Sequence, residues 1–144
     1  MTKPNIVLFI DDDEEDLAFF SEAMSIIDPS IKRLTAPNGL AAIKLLESPD
    51  LIIPDFIFLD INMPIMNGME CLVKLKTMDR LKEVPIIMCS TSIYAEDQKE
   101  CERLGANFYL VKPNTIIQLV SSLQFVFSRY QLKIKEQRAE HFAA

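Results

Sequence analysis

With 144 residues, of which 49% are hydrophobic, the chain has enough apolar material for one well-filled domain and is expected to form only that. Twenty-one acidic against 15 basic side chains leave a net charge of -6, which argues against a nucleic-acid partner, because binding a phosphate backbone needs a basic face to displace counterions.

Short apolar runs alternate with amphipathic stretches, the pattern of βα units around a parallel sheet with helices on both faces. The predicted order is strand 5–10, helix 14–27, strand 31–36, helix 39–47, strand 55–60, helix 67–77, strand 85–89, helix 94–104, strand 107–111 and helix 114–136. In the first helix Leu17, Phe20, Met24 and Ile27 form one apolar stripe. Glu14, Glu15 and Asp16 occupy its first turn, where the helix dipole favours negative charge, and Asp13 just before them reads as an N-cap. Asp28-Pro29 ends it, since a residue before proline is pushed out of the helical region. Asn38-Gly39 and Asn67-Gly68 look like hairpin turns in isolation, yet helical spacing follows each, so both are predicted to open helices.

The helix at 94–104 has few apolar anchors, among them Cys101 and Leu104, and is expected at the low-stability end of the domain. The last helix carries a heptad-like seam of Ile116, Val120, Leu123, Phe127, Tyr130 and Ile134. The seam supports two readings: Ile116 to Phe127 pack on the sheet and the rest frays, or the extended end forms a homodimer. Residues 1–130 are assigned to the domain and 131–144 to the extended helix end and a disordered tail.

Four of the five strand-like runs stop at a residue able to handle phosphate or a divalent cation. Ile6 to Ile10 ends in Asp11-Asp12-Asp13, Phe56 to Leu59 in Asp60, Ile86 to Cys89 in Ser90-Thr91, and Phe108 to Val111 in Lys112-Pro113. Ligands bind outside the carboxyl ends of parallel strands, so these ends should converge on one pocket. Carboxylates ~4 Å apart repel by about 4 kcal/mol at an effective dielectric near 20, so Asp11, Asp12 and Asp60 should want a cation and raise at least one pKa. Mg²⁺, with its preference for one or two carboxylates plus phosphate oxygens and water, suits them, and Lys112 adds a compact positive charge.

Five segments in this order are specific: Val7-Leu8-Phe9-Ile10-Asp11-Asp12; Leu59-Asp60-Ile61-Asn62-Met63-Pro64 followed by Met66-Asn67-Gly68; Ser90-Thr91-Ser92; Gly105-Ala106; and Tyr109-Leu110-Val111-Lys112-Pro113. Together they resemble the receiver domain of two-component response regulators, over residues 5 to about 128, in the stand-alone form known from chemotaxis. The resemblance implies a flavodoxin-like (βα)5 fold, doubly wound, with a five-stranded parallel sheet in the order 2-1-3-4-5. It further implies that Asp60 accepts a phosphoryl group from a phosphohistidine of a sensor or hybrid kinase. Asp12, Asp60 and the backbone carbonyl of Asn62 would hold Mg²⁺ or Mn²⁺, with Asp11 acting through metal-bound water. Ser90, Thr91 and Lys112 would meet the phosphoryl group, and Ser90 and Tyr109 would switch the surface of the helix at 94–104. Lys112-Pro113 is a cis-peptide candidate by the same resemblance. Such a domain phosphorylates and dephosphorylates itself and is no turnover enzyme.

Departures from the family are informative. Pro49 and Pro54 bracket a longer segment before the third strand, and Thr91 places a methyl and a hydroxyl where many members have Ala or Gly. The longer segment and the Ser90-Thr91-Ser92 run resemble the stand-alone regulators paired with phytochrome-like and other hybrid kinases, and Thr91 is expected to narrow access for small phosphodonors. Three rival functions fit the sequence less well. A haloacid-dehalogenase-type phosphatase needs an acid two residues after its nucleophile, where this chain has Asn62. A flavin carrier must cradle phosphate in its first loop, which Asp11-Asp12-Asp13 would repel. A receiver-shaped interaction module that is never phosphorylated would have little reason to keep Asp11, Asp12, Asp60, Ser90 and Lys112 together. With no signal-like start and no apolar stretch near the ~18 residues of a membrane span, a cytoplasmic location without membrane contact is expected. Cys71, Cys89 and Cys101 lack metal-ligand spacing and are expected as reduced packing residues. No downstream target is written in the sequence.

Overall fold

Each strand divides its side chains between two faces, and that division organises the molecule. In the computed structural model, which describes residues 3–143 with side chains as far as Tyr130, the elements follow in chain order. They are β1 (Ile6–Ile10), α1 (Glu14–Ile27), β2 (Lys32–Ala36), α2 (Gly39–Glu47), β3 (Phe56–Asp60), α3 (Gly68–Lys76), β4 (Ile86–Ser90), α4 (Ala95–Arg103), β5 (Phe108–Val111) and α5 (Ile116–Ala143). All pairings are parallel, in the order β2-β1-β3-β4-β5. The flavodoxin-like expectation is met.

Val7 and Phe9, Phe56 and Phe58, Ile87 and Cys89 point to the face covered by α1 and α5, where Phe20, Met24, Leu123 and Phe127 join them. Leu8 and Ile10, Ile57 and Leu59, Ile86 and Met88 point to the other face, against Leu46, Leu72 and Leu75 of α2 and α3. Period-two alternation therefore feeds two cores from one sheet. Phe9 lies between Phe20 and Phe58 at centroid distances of 4.7 and 5.0 Å, which fills the first core with aromatic rings directly below the carboxyl edge.

The caps explain the helix starts. The Asp13 side chain accepts hydrogen bonds from the Glu15 and Asp16 amides, at 2.8 and 3.3 Å, as an N-cap should. Asn38 caps α2 through the Ala41 amide, and Asn67 and Glu70 form a reciprocal capping box on α3, so both Asn-Gly pairs open helices. α4 buries only Cys101, in line with its few apolar anchors. All three cysteines are free and buried, as expected of packing residues.

A 3-10 turn at Asp79–Leu81 has no counterpart in the sequence reading. Its Leu81 is buried, and the Arg80 guanidinium donates to the Leu46 and Ser48 carbonyls at 2.8 Å each, closing the end of α2. The helical backbone of α5 continues to Ala143, past the predicted end at 136. Ile116, Val120, Leu123, Phe127 and Tyr130 of the seam pack on the sheet face; Ile134 and the side chains of the predicted tail lie outside the described residues. The Lys112-Pro113 bond is a correction: no cis peptide occurs among the described residues, so it is trans, the isomer that X–Pro bonds favour by about 0.5–1 kcal/mol.

Candidate functional site

Parallel strands all point their carboxyl ends to one edge, so the residues closing β1, β3, β4 and β5 meet there. The Asp11 amide donates to the Ala36 carbonyl at 3.1 Å, which carries the ladder one residue past β1 and locks the backbone of Asp11. Its side chain is held too, as one carboxylate oxygen accepts from the Asp13 amide at 3.0 Å. Asp12 projects into solvent, and Asp60 closes β3 opposite Cys89. One carboxylate oxygen from each of Asp11, Asp12 and Asp60 lies within 4.8 Å of the others, a donor set of hard oxygens that fits a divalent cation such as Mg²⁺ or Mn²⁺.

The β3–α3 connection positions Asp60. Gly68 starts α3 against the phosphoacceptor candidate's own backbone: a Cβ there would lie 2.2 Å from the Asp60 carbonyl oxygen, and the Gly68 amide donates to the Ile61 carbonyl at 2.7 Å. Only glycine allows this approach. Asn62 sits in this loop, exposed, two residues past Asp60.

Lys112, just beyond β5, completes the cluster. Its Nζ is 2.9 Å from Asp11, 2.9 Å from Asp60 and 2.7 Å from Asp16. The floor beneath is apolar, built of Phe9, Phe20, Phe58 and Cys89, and it drives the electrostatics. Burial pushes Asp60 up to about 6 despite the hydrogen bond from Lys112, and raises Asp11 by the same cause. Burial works against the Lys112 ammonium, but the hydrogen bonds to Asp16, Asp60 and Asp11 outweigh it and hold its pKa above the ordinary lysine value. Burial also raises the Cys71 and Cys101 thiols to about 11 and shifts Cys89 in the same direction, so none is a thiolate nucleophile at neutral pH.

Ser90 ends β4 at 1% exposure, and its hydroxyl oxygen accepts from the Ser92 amide at 3.0 Å. From Ser92 three further bonds spread: its carbonyl accepts from the Tyr109 hydroxyl at 3.0 Å, its hydroxyl donates to Asp97 of α4 at 2.6 Å, and the same hydroxyl oxygen accepts from the Tyr94 amide at 3.2 Å. Thr91 is exposed. Tyr109 is half-buried on β5, packs against the core on the α2 and α3 face, and donates its hydroxyl in that bond.

Asp11, Asp12, Asp60 and Lys112 are thus brought together, with Ser90 on the strand between Asp60 and Lys112. Sequence reasoning missed Asp16, which it assigned to the helix dipole. The signal was available in the N-cap: with Asp13 capping, Asp16 is the third helical residue, and Cβ bonds tilt toward the helix N-terminus, here toward the sheet edge.

The family model described as "Response regulator receiver domain" matches residues 7–124. The chain belongs to this family. Among proteins similar to this receiver domain is the chemotaxis protein CheY-3 of Vibrio cholerae, 34% identical over 94 residues, which cover 65% of this chain and 70% of that protein. The crystal structure of the phosphorylated cyanobacterial phytochrome response regulator RcpA superposes with a TM-score of 0.78 at 26% identity, over 90% of this chain and 95% of that one. The Mn²⁺-bound form of response regulator Rcp1, a protein of Synechocystis, gives 0.75 at 26% identity, over 89% and 95%. Receiver domains are signalling proteins of two-component systems, bind divalent metal, and take phosphoryl groups from sensor histidine kinases. Among the described residues no helix is long and apolar enough to cross a membrane.

Proposed function

We propose that this receiver domain accepts a phosphoryl group on Asp60 from a phosphohistidine of a sensor or hybrid kinase, in a reaction that needs Mg²⁺ or Mn²⁺. The observation that carries the reading is the Asp60 carboxylate 2.9 Å from the Lys112 ammonium, with oxygens of Asp11 and Asp12 within 4.8 Å. Asp12, Asp60 and the Asn62 carbonyl would hold the cation and Asp11 its water. Bound there, the cation would neutralise charge on the phosphoryl oxygens and carboxylates.

The chain's own residues do the positioning on which phosphoryl transfer depends. With a pKa near 6, Asp60 is largely ionised at neutral pH and can attack phosphorus as the phosphorus–nitrogen bond breaks toward the imidazole. Lys112 then pairs with a phosphoryl oxygen, and the Ser90 hydroxyl turns to donate to another. Thr91, exposed beside Ser90, borders the same group. The acyl phosphate is open to water, so the signal clears itself.

The switch follows from the bonds around Ser92. Recruiting the Ser90 hydroxyl releases the Ser92 amide, and the same residue holds Tyr109 and α4. A swing from 1:99 to 99:1 needs about 5.5 kcal/mol of differential stabilisation, within reach of one or two charge-assisted hydrogen bonds plus cation coordination. Self-association would rest on the helix beyond Tyr130, since the earlier seam is committed to the sheet; a monomeric mass by light scattering at micromolar concentration would remove it.

Beryllofluoride with Mg²⁺ provides the test. A spectral shift in the wild-type chain that disappears in Asp60→Asn supports the reading. An identical response from both proteins, or none from either, favours a receiver-shaped interaction module without phosphorylation.

A further inference from the structure

Lys112 carries three ammonium protons, and three carboxylates surround it. Two of them, Asp11 and Asp60, belong to the cation cluster; the third, Asp16, stands on the first turn of α1 outside that cluster, at the shortest distance of the three, 2.7 Å. Asp11 and Asp60 side chains are 4% and 7% exposed, whereas Asp16 is 36% exposed and keeps contact with water. Its backbone is fixed by the Asp13 cap at 3.3 Å, so the carboxylate is offered from a rigid turn.

The demands on the other two carboxylates conflict with their hold on the lysine. A divalent cation draws on Asp11 and Asp60, and a phosphoryl group on Asp60 removes the charge of the carboxylate that Lys112 now touches. Asp16 is the one partner that neither event consumes. Without it, the ammonium would be free to swing out of the pocket as the cation enters.

We infer that Asp16 is a positioning residue, which holds the Lys112 ammonium over the pocket while cation and phosphoryl group claim Asp11 and Asp60. The inference rests on the phosphoacceptor reading of Asp60 and adds to it a residue that acts only through Lys112. Asp16 touches neither the phosphoryl group nor the cation in this scheme. Its effect therefore has to vanish when the lysine is gone, which a simple loss of negative charge near the cation would not do.

A double-mutant cycle on the full chain separates these cases. Beryllofluoride affinity in saturating Mg²⁺ is measured by calorimetry for the wild type, Asp16→Asn, Asp16→Glu, Lys112→Ala and the Asp16→Asn/Lys112→Ala pair. Lys112→Gln is the alternative background should truncation unfold the chain. Asp16→Asn is expected to weaken binding about tenfold when Lys112 is present and less than about twofold when it is absent, with part of the loss recovered in Asp16→Glu. An equal loss in both backgrounds overturns the inference, as does unchanged affinity in Asp16→Asn while Asp60→Asn abolishes binding; in that last case the phosphoacceptor reading survives alone. No binding by the wild type defeats both.

Discussion

Asp60 is held in a state the unfolded chain would not choose, and pH exposes the cost. Its pKa near 6 in the fold exceeds the roughly 3.9 of a free aspartate, so the folded protein binds this proton more tightly than the unfolded chain does. The stability that proton supplies is complete below about pH 4 and is lost as pH rises through about 6. Asp60→Asn removes this dependence, and in metal-free buffer it should gain roughly 2 kcal/mol over the wild type between pH 4 and pH 7, as read by urea denaturation at several pH values. Ile65 is a second strained residue. Its φ of 70° lies in the left-handed region that a β-branched side chain resists, and the side chain is 91% exposed with little packing to lose. Strain of ~1–3 kcal/mol outweighs the entropy that a glycine adds to the unfolded chain, so Ile65→Gly should raise the unfolding free energy by about 1 kcal/mol.

At the scale of elements, two junctions carry the site. α3 begins where Gly68 presses on the Asp60 and Ile61 backbone, and the three atoms nearest a Cβ there are all backbone, which yields less readily than a side chain. Gly68→Ala must push the loop or the strand end away, at a cost of about 1–3 kcal/mol in stability, and should weaken divalent-cation affinity along with it, which calorimetry would register. The second junction is the start of α4. Tyr94 occupies its N-cap without a side-chain bond, and Asp97 in the first turn instead accepts from the Ser92 hydroxyl at 2.6 Å. Asp97→Ala should cost about 1 kcal/mol and speed amide hydrogen exchange in α4 more than in α3, because α4 has only Cys101 to anchor it. Unchanged exchange in α4 would show that the Ser92 contact does not hold the helix.

At the scale of the whole molecule, an apolar floor, three clustered carboxylates and one ammonium predict a fold whose stability responds to a divalent cation. Mg²⁺ at 100 times its dissociation constant should stabilise the protein by about 2.7 kcal/mol, and the gain should shrink as pH falls below about 6, where Asp60 takes up a proton that competes with the ion; thermal unfolding with and without Mg²⁺ measures both. Much of this was legible without coordinates. Alternating apolar residues marked the strands, Asp13, Asn38 and Asn67 marked helix starts, and the residues after Ile10, Leu59, Cys89 and Val111 marked one chemical edge, because parallel strands deliver their ends to the same side whatever packs around them. The 3-10 turn at Asp79–Leu81, the third partner of Lys112 and the tie from Ser92 to Tyr109 and α4 were not legible. Local pattern sufficed to say which groups stand at the strand ends, since that needs only a period of two and a common strand direction. Tertiary structure alone decided which helix residues lean over them, since that depends on how each helix is rotated and seated on the sheet, and local spacing carries no measure of it.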